Sequence, residues 1–135
     1  MILDSSVIVA ILRAEPEARD FSRAIASAAQ SRISAANYLE AAVVIDGSRS
    51  AISSRRFDEF FRASRIAVEA VTPSQAEIAR RAYYDFGKTR HKAGLNFCDC
   101  FAYALAKEMD EPLLFKGDDF RRTDIEAAKT GAAKR

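Results

Sequence analysis

Four short apolar runs, each followed by a helix-starting pattern, constrain this chain more than any other feature. Met1 to Leu3 runs into Asp4, and Ser5-Ser6 then offers a cap for the apolar stretch Val7 to Leu12. Arg32-Ile33 ends a second run, and Ser34 caps a helix from Ala35 to about Asp46 that Gly47 stops. Ile66 to Val71 alternates imperfectly before Thr72-Pro73-Ser74-Gln75, where Thr72 caps, Pro73 suits the first helical position and Gln75 completes the capping box. Leu113 to Phe115 forms the fourth run, and Lys116-Gly117-Asp118-Asp119 is the turn at its end. Short strands separated by helices require a largely parallel sheet covered on both faces, so the fold class is α/β.

The remaining helices follow the same logic. Pro16 opens a helix over about Glu17 to Ala29, Ile52, Phe57, Phe60 and Phe61 mark an amphipathic one to about Ser64, and Asn96 caps one through about Glu108. That last helix is expected to bury Phe97 or Phe101 with Cys100, Ala104 and Leu105. In the helix after Ser34, Ala36, Leu39, Ala42 and Val43 are expected to pack inward. Ile125 is expected to begin a last edge strand, and the tail from about 128, with Lys129, Lys134 and Arg135, to fray. No repeat, linker or low-complexity block divides the 135 residues, which read as one domain.

Composition narrows the chemistry. Hydrophobic residues at 49% and charged residues at 30% describe a soluble globular protein, and Asp4 interrupts the apolar N-terminus, against a signal peptide or membrane span. Cys98 and Cys100 are the only cysteines, spaced so that a helix points them apart, and the chain reads as cytoplasmic. A single histidine, His91, excludes a zinc hydrolase built on several imidazoles and leaves only that residue for a nucleophilic triad. No Walker or Rossmann glycine pattern occurs.

What remains is a set of carboxylates. Parallel sheets bind ligands beyond the C-terminal ends of their strands. Asp4 ends the first run, Glu40 lies in the helix after the second, Asp99 opens a later helix, and Asp118-Asp119 follow the fourth run. All can meet on one edge, where Mg²⁺ accepts an oxygen-rich site and promotes water attack on a phosphodiester. Each residue also has a plainer reading. Asp4 reads as a helix cap, Asp99 as a favourable first-turn charge, Asp118 and Asp119 as turn residues, and Glu40 as one half of a buried ion pair with an arginine. Asn37, three residues before Glu40, reads as an ordinary helical polar residue or as a group that orients Glu40. Lys88, Arg90, His91 and Lys92 form a basic loop that suits phosphate contact, and Tyr83, Tyr84 and Tyr103 are candidates for base stacking or for packing. The net charge of +2 does not by itself predict nucleic-acid binding.

The segments MILDSSVIVAILRAEPEA, RISAANYLEAAVVI and KAGLNFCDCFAYALAKEMDEPLLFKGDDFRRTDI together resemble the PIN-domain ribonucleases, and more closely the VapC toxins of bacterial toxin-antitoxin pairs. The resemblance covers most of the chain. It implies a three-layer α/β/α sandwich with a short, mainly parallel sheet, and an endoribonuclease dependent on Mg²⁺ or Mn²⁺. Asp4, Glu40 and Asp99 match the first three acidic positions. Asp118 and Asp119 are both candidates for the fourth, with Asp119 preferred. Asp4 and Asp99 are the expected direct metal ligands, Glu40 positions the attacking water, Asn37 is an accessory position, and Lys88, Arg90 and Lys92 hold the RNA backbone. The family further implies a homodimer and a VapB-like antitoxin whose basic side chain enters the acidic cleft. Phe57, Phe60 and Phe61 suit such an interface or the core equally. The other readings are a PIN nuclease of RNA processing and a partner-regulating binding protein with weak catalysis.

Overall fold

The computed structural model describes residues 1–130, in which strands and helices alternate as β1 (Ile2–Leu3), α1 (Ser5–Leu12), α2 (Ala18–Ser27), β2 (Arg32–Ser34), α3 (Ala35–Asp46), α4 (Ala51–Ser64), β3 (Ala67–Glu69), α5 (Pro73–Phe86), α6 (Phe97–Met109) and β4 (Leu113–Leu114). A 3-10 turn over Asp119–Arg122 follows β4. The strands are ordered β3-β2-β1-β4 and every pairing is parallel. Ile2 pairs with Arg32 and Leu113, and Leu3 with Ile33 and Leu114.

Because side chains alternate across a strand, each two-residue strand sends one residue to each face. Ile2 and Leu113 join a core with Leu95, Ala102, Leu105 and Phe115, covered by α5 and α6. Leu3 and Leu114 join a second core with Val7, Ile8, Ile33 and Phe57, drawn from α1 to α4. The three-layer α/β/α sandwich is therefore written into strands as short as Ile2–Leu3, whose two residues are fully buried. Chain order runs outward from β1 to β3 and then jumps back to β4 on β1's other side. The crevice at that reversal opens beyond the carboxyl ends of β1 and β4, the residues just before Asp4 and Phe115.

Several expectations need correction. In α3 the inward line is Asn37, Ala41 and Ile45, while Leu39 and Val43 are each 61% exposed. The helix is apolar nearly all round, so its rotation is decided by partners elsewhere. Tyr38, beside Asn37, packs at 5.3 Å from Phe57 and 4.9 Å from Phe61. Phe57 and Phe61 are thereby committed to that aromatic core, whereas Ile52 is exposed. In α6 Phe97 is exposed and Phe101 is the more buried of the pair. Gln75 does not complete a capping box; Thr72 caps α5 through Gln75 N–H, and the Gln75 amide donates to Glu108 Oε1 at 2.9 Å. β3 is shorter than Ile66 to Val71. No edge strand starts at Ile125; instead Leu113 makes a single parallel bridge to Ala127. Of the tail expected to fray, residues 131–135 lie outside the described residues, and Ala128 N–H still donates to Leu113 O at 2.8 Å. Among the described residues no helix is long and apolar enough to cross a membrane.

Candidate active site

Asp4 leaves β1 with its N–H donating to Leu114 O at 3.0 Å, so the central strand pair delivers it directly to the crevice. Its Oδ2 accepts from Ser6 N–H at 3.1 Å, which makes Asp4, rather than Ser5 or Ser6, the cap of α1. Its Oδ1 is buried and has no hydrogen-bond partner among the described residues. Burial pushes the Asp4 carboxyl above the usual aspartate range, the Ser6 hydrogen bonds pull it down, and the charge of Glu40 pushes it further up.

The two serines after Asp4 have other tasks. Ser5 Oγ donates to Glu40 Oε1 at 2.5 Å, joining the start of α1 to α3. Ser6 Oγ accepts from Lys116 N–H at 3.0 Å, holding the turn after β4 against the end of β1. Glu40 is half-buried, and its Oε1 also lies 3.5 Å from Asn37 Nδ2, which donates to Cys98 O at 3.0 Å. Among the described residues no arginine lies within 4.0 Å of Glu40, so the plainer ion-pair partner is not found there.

Asp99 sits in the first turn of α6 in a reciprocal capping box. Asn96 Oδ1 accepts from Asp99 N–H at 2.8 Å, and Asp99 Oδ2 accepts from Asn96 N–H at 3.0 Å. Burial lifts the Asp99 carboxyl from 3.8 to about 7, opposed by the Asn96 N–H and reinforced by the charges of Asp4, Glu40 and Asp119. Asp119, at the start of the 3-10 turn, thus acts on Asp99 together with Asp4 and Glu40. The Asp118 side chain is 75% exposed and 3.7 Å from Arg121 Nε. Asn96→Ala should lower stability by ~1 kcal/mol through the lost cap. Chemical denaturation would measure this, and an unchanged midpoint would show that the box contributes nothing.

Asp4, Glu40 and Asp119 lie near enough to Asp99 for their charges to raise its carboxyl. Among the described residues, none of Asp4, Glu40, Asp99 or Asp119 has a lysine, arginine or histidine partner within 4.0 Å, whereas Glu15, Glu69 and Asp124 each have one. Among the described residues, too, no three Asp, Glu, His or Cys side chains are already close enough together to hold a metal ion. Like charges without a counter-ion hold one another apart, and binding a cation would have to draw them in. The donor set fits a hard divalent ion in kind. It is all oxygen, and among the described residues it has no compensating cation and includes one buried carboxylate oxygen without a partner.

Cys98, beside Asp99, is the residue the sequence reading missed. Burial, followed by the neighbouring Glu40 charge, pushes its thiol up to about 11, so it stays protonated. No local signal marks it, nor Ser5, because both meet Glu40 only through the tertiary fold.

The basic loop is closed by Lys88 N–H to Leu95 O at 2.9 Å and Leu95 N–H to Phe86 O at 3.0 Å, and it leads straight into Asn96. Lys88, Arg90 and Lys92 are exposed, with Arg90 over the Tyr84 ring at 5.0 Å. His91 is a loop-shaping residue whose Nδ1 accepts from Ala93 N–H at 3.0 Å. Tyr83 and Tyr84 are exposed, whereas Tyr103 is buried and donates to Asp124 Oδ1 at 2.7 Å. A cleft of about 1010 Å³ along α5 and α6, lined by Arg81, Tyr84, Tyr103 and Lys107, holds none of the four carboxylates.

A short parallel sheet between two helical layers, with acidic side chains gathered past the ends of β1 and β4, is the arrangement of a PIN domain, and the family model described as PIN domain matches residues 1–126. Ribonuclease VapC28 of Mycobacterium tuberculosis is 49% identical over 129 residues, covering 95% of this chain and 97% of that protein. Ribonuclease VapC of Mycolicibacterium smegmatis is 46% identical over 127 residues, covering 94% and 98%. The chain therefore belongs to the PIN-domain family, in its VapC branch. Among solved structures, the Mycobacterium tuberculosis VapC20, described as a Sarcin-Ricin loop cleaving toxin, superposes with a TM-score of 0.76 at 17% identity, covering 95% of this chain and 98% of that one. FitAcB from Neisseria gonorrhoeae superposes at 0.67 with 18% identity, covering 95% and 96%. Both share the fold.

Proposed function

We propose that this protein is an Mg²⁺- or Mn²⁺-dependent endoribonuclease, the toxin of a toxin-antitoxin pair acting in the cytoplasm. The observation that carries the proposal is that Asp4, Glu40 and Asp119 all act on Asp99 while, among the described residues, none of the four has a counter-ion. The relatives named as VapC ribonucleases support RNA as the substrate.

Asp4 and Asp99 would hold the metal, with Asp119 completing the negative pocket and Asp118 left to its contact with Arg121. When bound, the ion would offset charge on the scissile phosphate and acidify the attacking water. Glu40, with Oε1 engaged by Ser5, would use its second oxygen to orient that water and take its proton. Lys88, Arg90 and Lys92 would hold the RNA backbone through phosphate contacts that carry no sequence information. A VapB-like antitoxin would cover the cleft, and the exposed Leu39 and Val43 on Glu40's own helix give it apolar surface. The protein would act as a homodimer.

Mapping RNA ends after brief induction tests the reading. Wild type should generate new ends at a limited set of sites and Asp99→Asn none. The purified antitoxin-free protein should lose cleavage in EDTA and recover it with Mg²⁺ or Mn²⁺. Equal cleavage by folded Asp99→Asn, free of contaminating nuclease, would overturn the assignment.

A further inference from the structure

The cleft of about 1010 Å³ between α5 and α6 lies outside the carboxylate cluster. Sites for small ligands span roughly 300 to 1,000 Å³, so it has room for one. Its α5 wall is the stripe Glu77, Arg80, Arg81 and Tyr84, spaced by three or four residues and therefore on one face. Its α6 wall is Tyr103 and Lys107, which continue from Asp99 in steps of four residues. At 1.5 Å of rise per residue, Tyr103 stands about 6 Å along the helix axis from Asp99. The cleft therefore begins one turn from a carboxylate of the site and runs along α6 away from it.

The side chains around the cleft divide into those already committed and those that are free to bind. Tyr103 Oη donates to Asp124 Oδ1 at 2.7 Å, and Lys107 Nζ pairs with Asp124 Oδ2 at 2.7 Å. Arg80, Arg81 and Arg90 have no carboxylate within 4.0 Å among the described residues. Tyr84 is 69% exposed, and the Arg90 guanidinium reaches it from the basic loop at 5.0 Å from the ring centre. Three guanidiniums and an aromatic face thus stand against the carboxylates of Glu77 and Asp85. Single-stranded nucleic acid is held by this pairing of groups, bases stacking on aromatic rings and guanidinium planes while cations meet phosphates. A protein partner fits less well, because Ile78 is the one aliphatic side chain lining the cleft among the described residues.

We propose that this cleft is a subsite for an unpaired nucleotide of the RNA beside the one being cut, its base on Tyr84 and its phosphates on Arg80 and Arg81. The proposal rests on the ribonuclease reading of the carboxylate site. Stacking tolerates any base, so the subsite selects single-stranded over paired RNA and reads no sequence.

The test is fluorescence anisotropy of the full chain with a labelled, mixed-sequence single-stranded RNA, measured in EDTA. Tyr84→Ala should weaken binding about 5-fold or more, the lower end of one base–aromatic stack, and Tyr84→Phe should match wild type. Arg81→Ala should weaken it and reduce the slope of log affinity against log salt by about 0.7, the value for one phosphate on a single strand. Both positions are exposed, so neither change threatens the fold. On abasic RNA of the same length Tyr84→Ala should cost nothing. An equal loss on both RNAs would mark a structural or oligomeric role for Tyr84 and overturn the subsite. So would wild-type affinity in Tyr84→Ala and Arg81→Ala, or failure of the wild type to bind the RNA at all. The RNA ends mapped for wild type and Asp99→Asn judge the ribonuclease reading separately, so it can stand where the subsite falls.

Discussion

Asp4→Asn is expected to raise the melting temperature of the metal-free protein while lowering RNA cleavage by more than ~100-fold, a loss beyond that of removing an outer-shell partner. The two effects have one cause. Asp4 is 5% exposed and, among the described residues, has no cation within 4.0 Å and one carboxylate oxygen without a partner, so ionising it costs the folded state. Asparagine caps a helix about as well as aspartate, so the bond from Ser6 N–H survives. Removing the charge should stabilise by on the order of 1 kcal/mol, roughly 2 to 5 °C for a domain of this size. Calorimetry in EDTA and a cleavage assay in Mg²⁺ would measure the pair. A variant that is destabilised and still active would show that Asp4 is only a cap.

The second large effect is a pH-dependent response to metal. Asp99 has its carboxyl raised from 3.8 to about 7 by burial and by its acidic neighbours. The folded state therefore keeps a proton that the unfolded state releases across that interval. The stabilisation is complete below about pH 4, fades as pH rises and is gone once pH passes 7. A divalent ion binds the deprotonated set, so it competes with that proton at pH 5.5 and meets little competition at pH 8. At 100 times its Kd, the ion should add ~2.7 kcal/mol, and a fixed Mg²⁺ concentration should raise the melting temperature far more at pH 8 than at pH 5.5. Asp99→Asn should lose most of this pH difference. Equal shifts at both pH values in the wild type would count against a metal at these carboxylates.

Local patterns were strong enough to place most elements. Ser34, Thr72 and Asn96 cap α3, α5 and α6 as expected, because a cap depends on a residue and the next three backbone N–H groups. The rotation of α3 was not legible. Leu39 and Val43 looked like core and are exposed, while Asn37 looked peripheral and is fully buried. The contacts that fix it are distant in sequence, Tyr38 with Phe57 and Phe61 and Asn37 with Cys98, 61 residues along the chain. Likewise Ser5 looked like part of a cap, and its hydroxyl instead reaches Glu40, 35 residues away. Asp118 and Asp119 were indistinguishable as a dipeptide. The 3-10 turn separates them, giving Asp119 to the field of Asp99 and Asp118 to Arg121.

The sequence by itself determined the alternation of short strands with capped helices, the family resemblance, and the carboxylates at the ends of those elements. Caps and apolar periodicity act over three or four neighbouring residues and are decided where they stand. Only the tertiary structure decided which face α3 turns inward, which aspartate of the adjacent pair joins the cluster, and which neutral groups hold Glu40. Those outcomes depend on hydrogen bonds and like-charge contacts between segments that meet only when the parallel sheet brings the ends of β1 and β4 together.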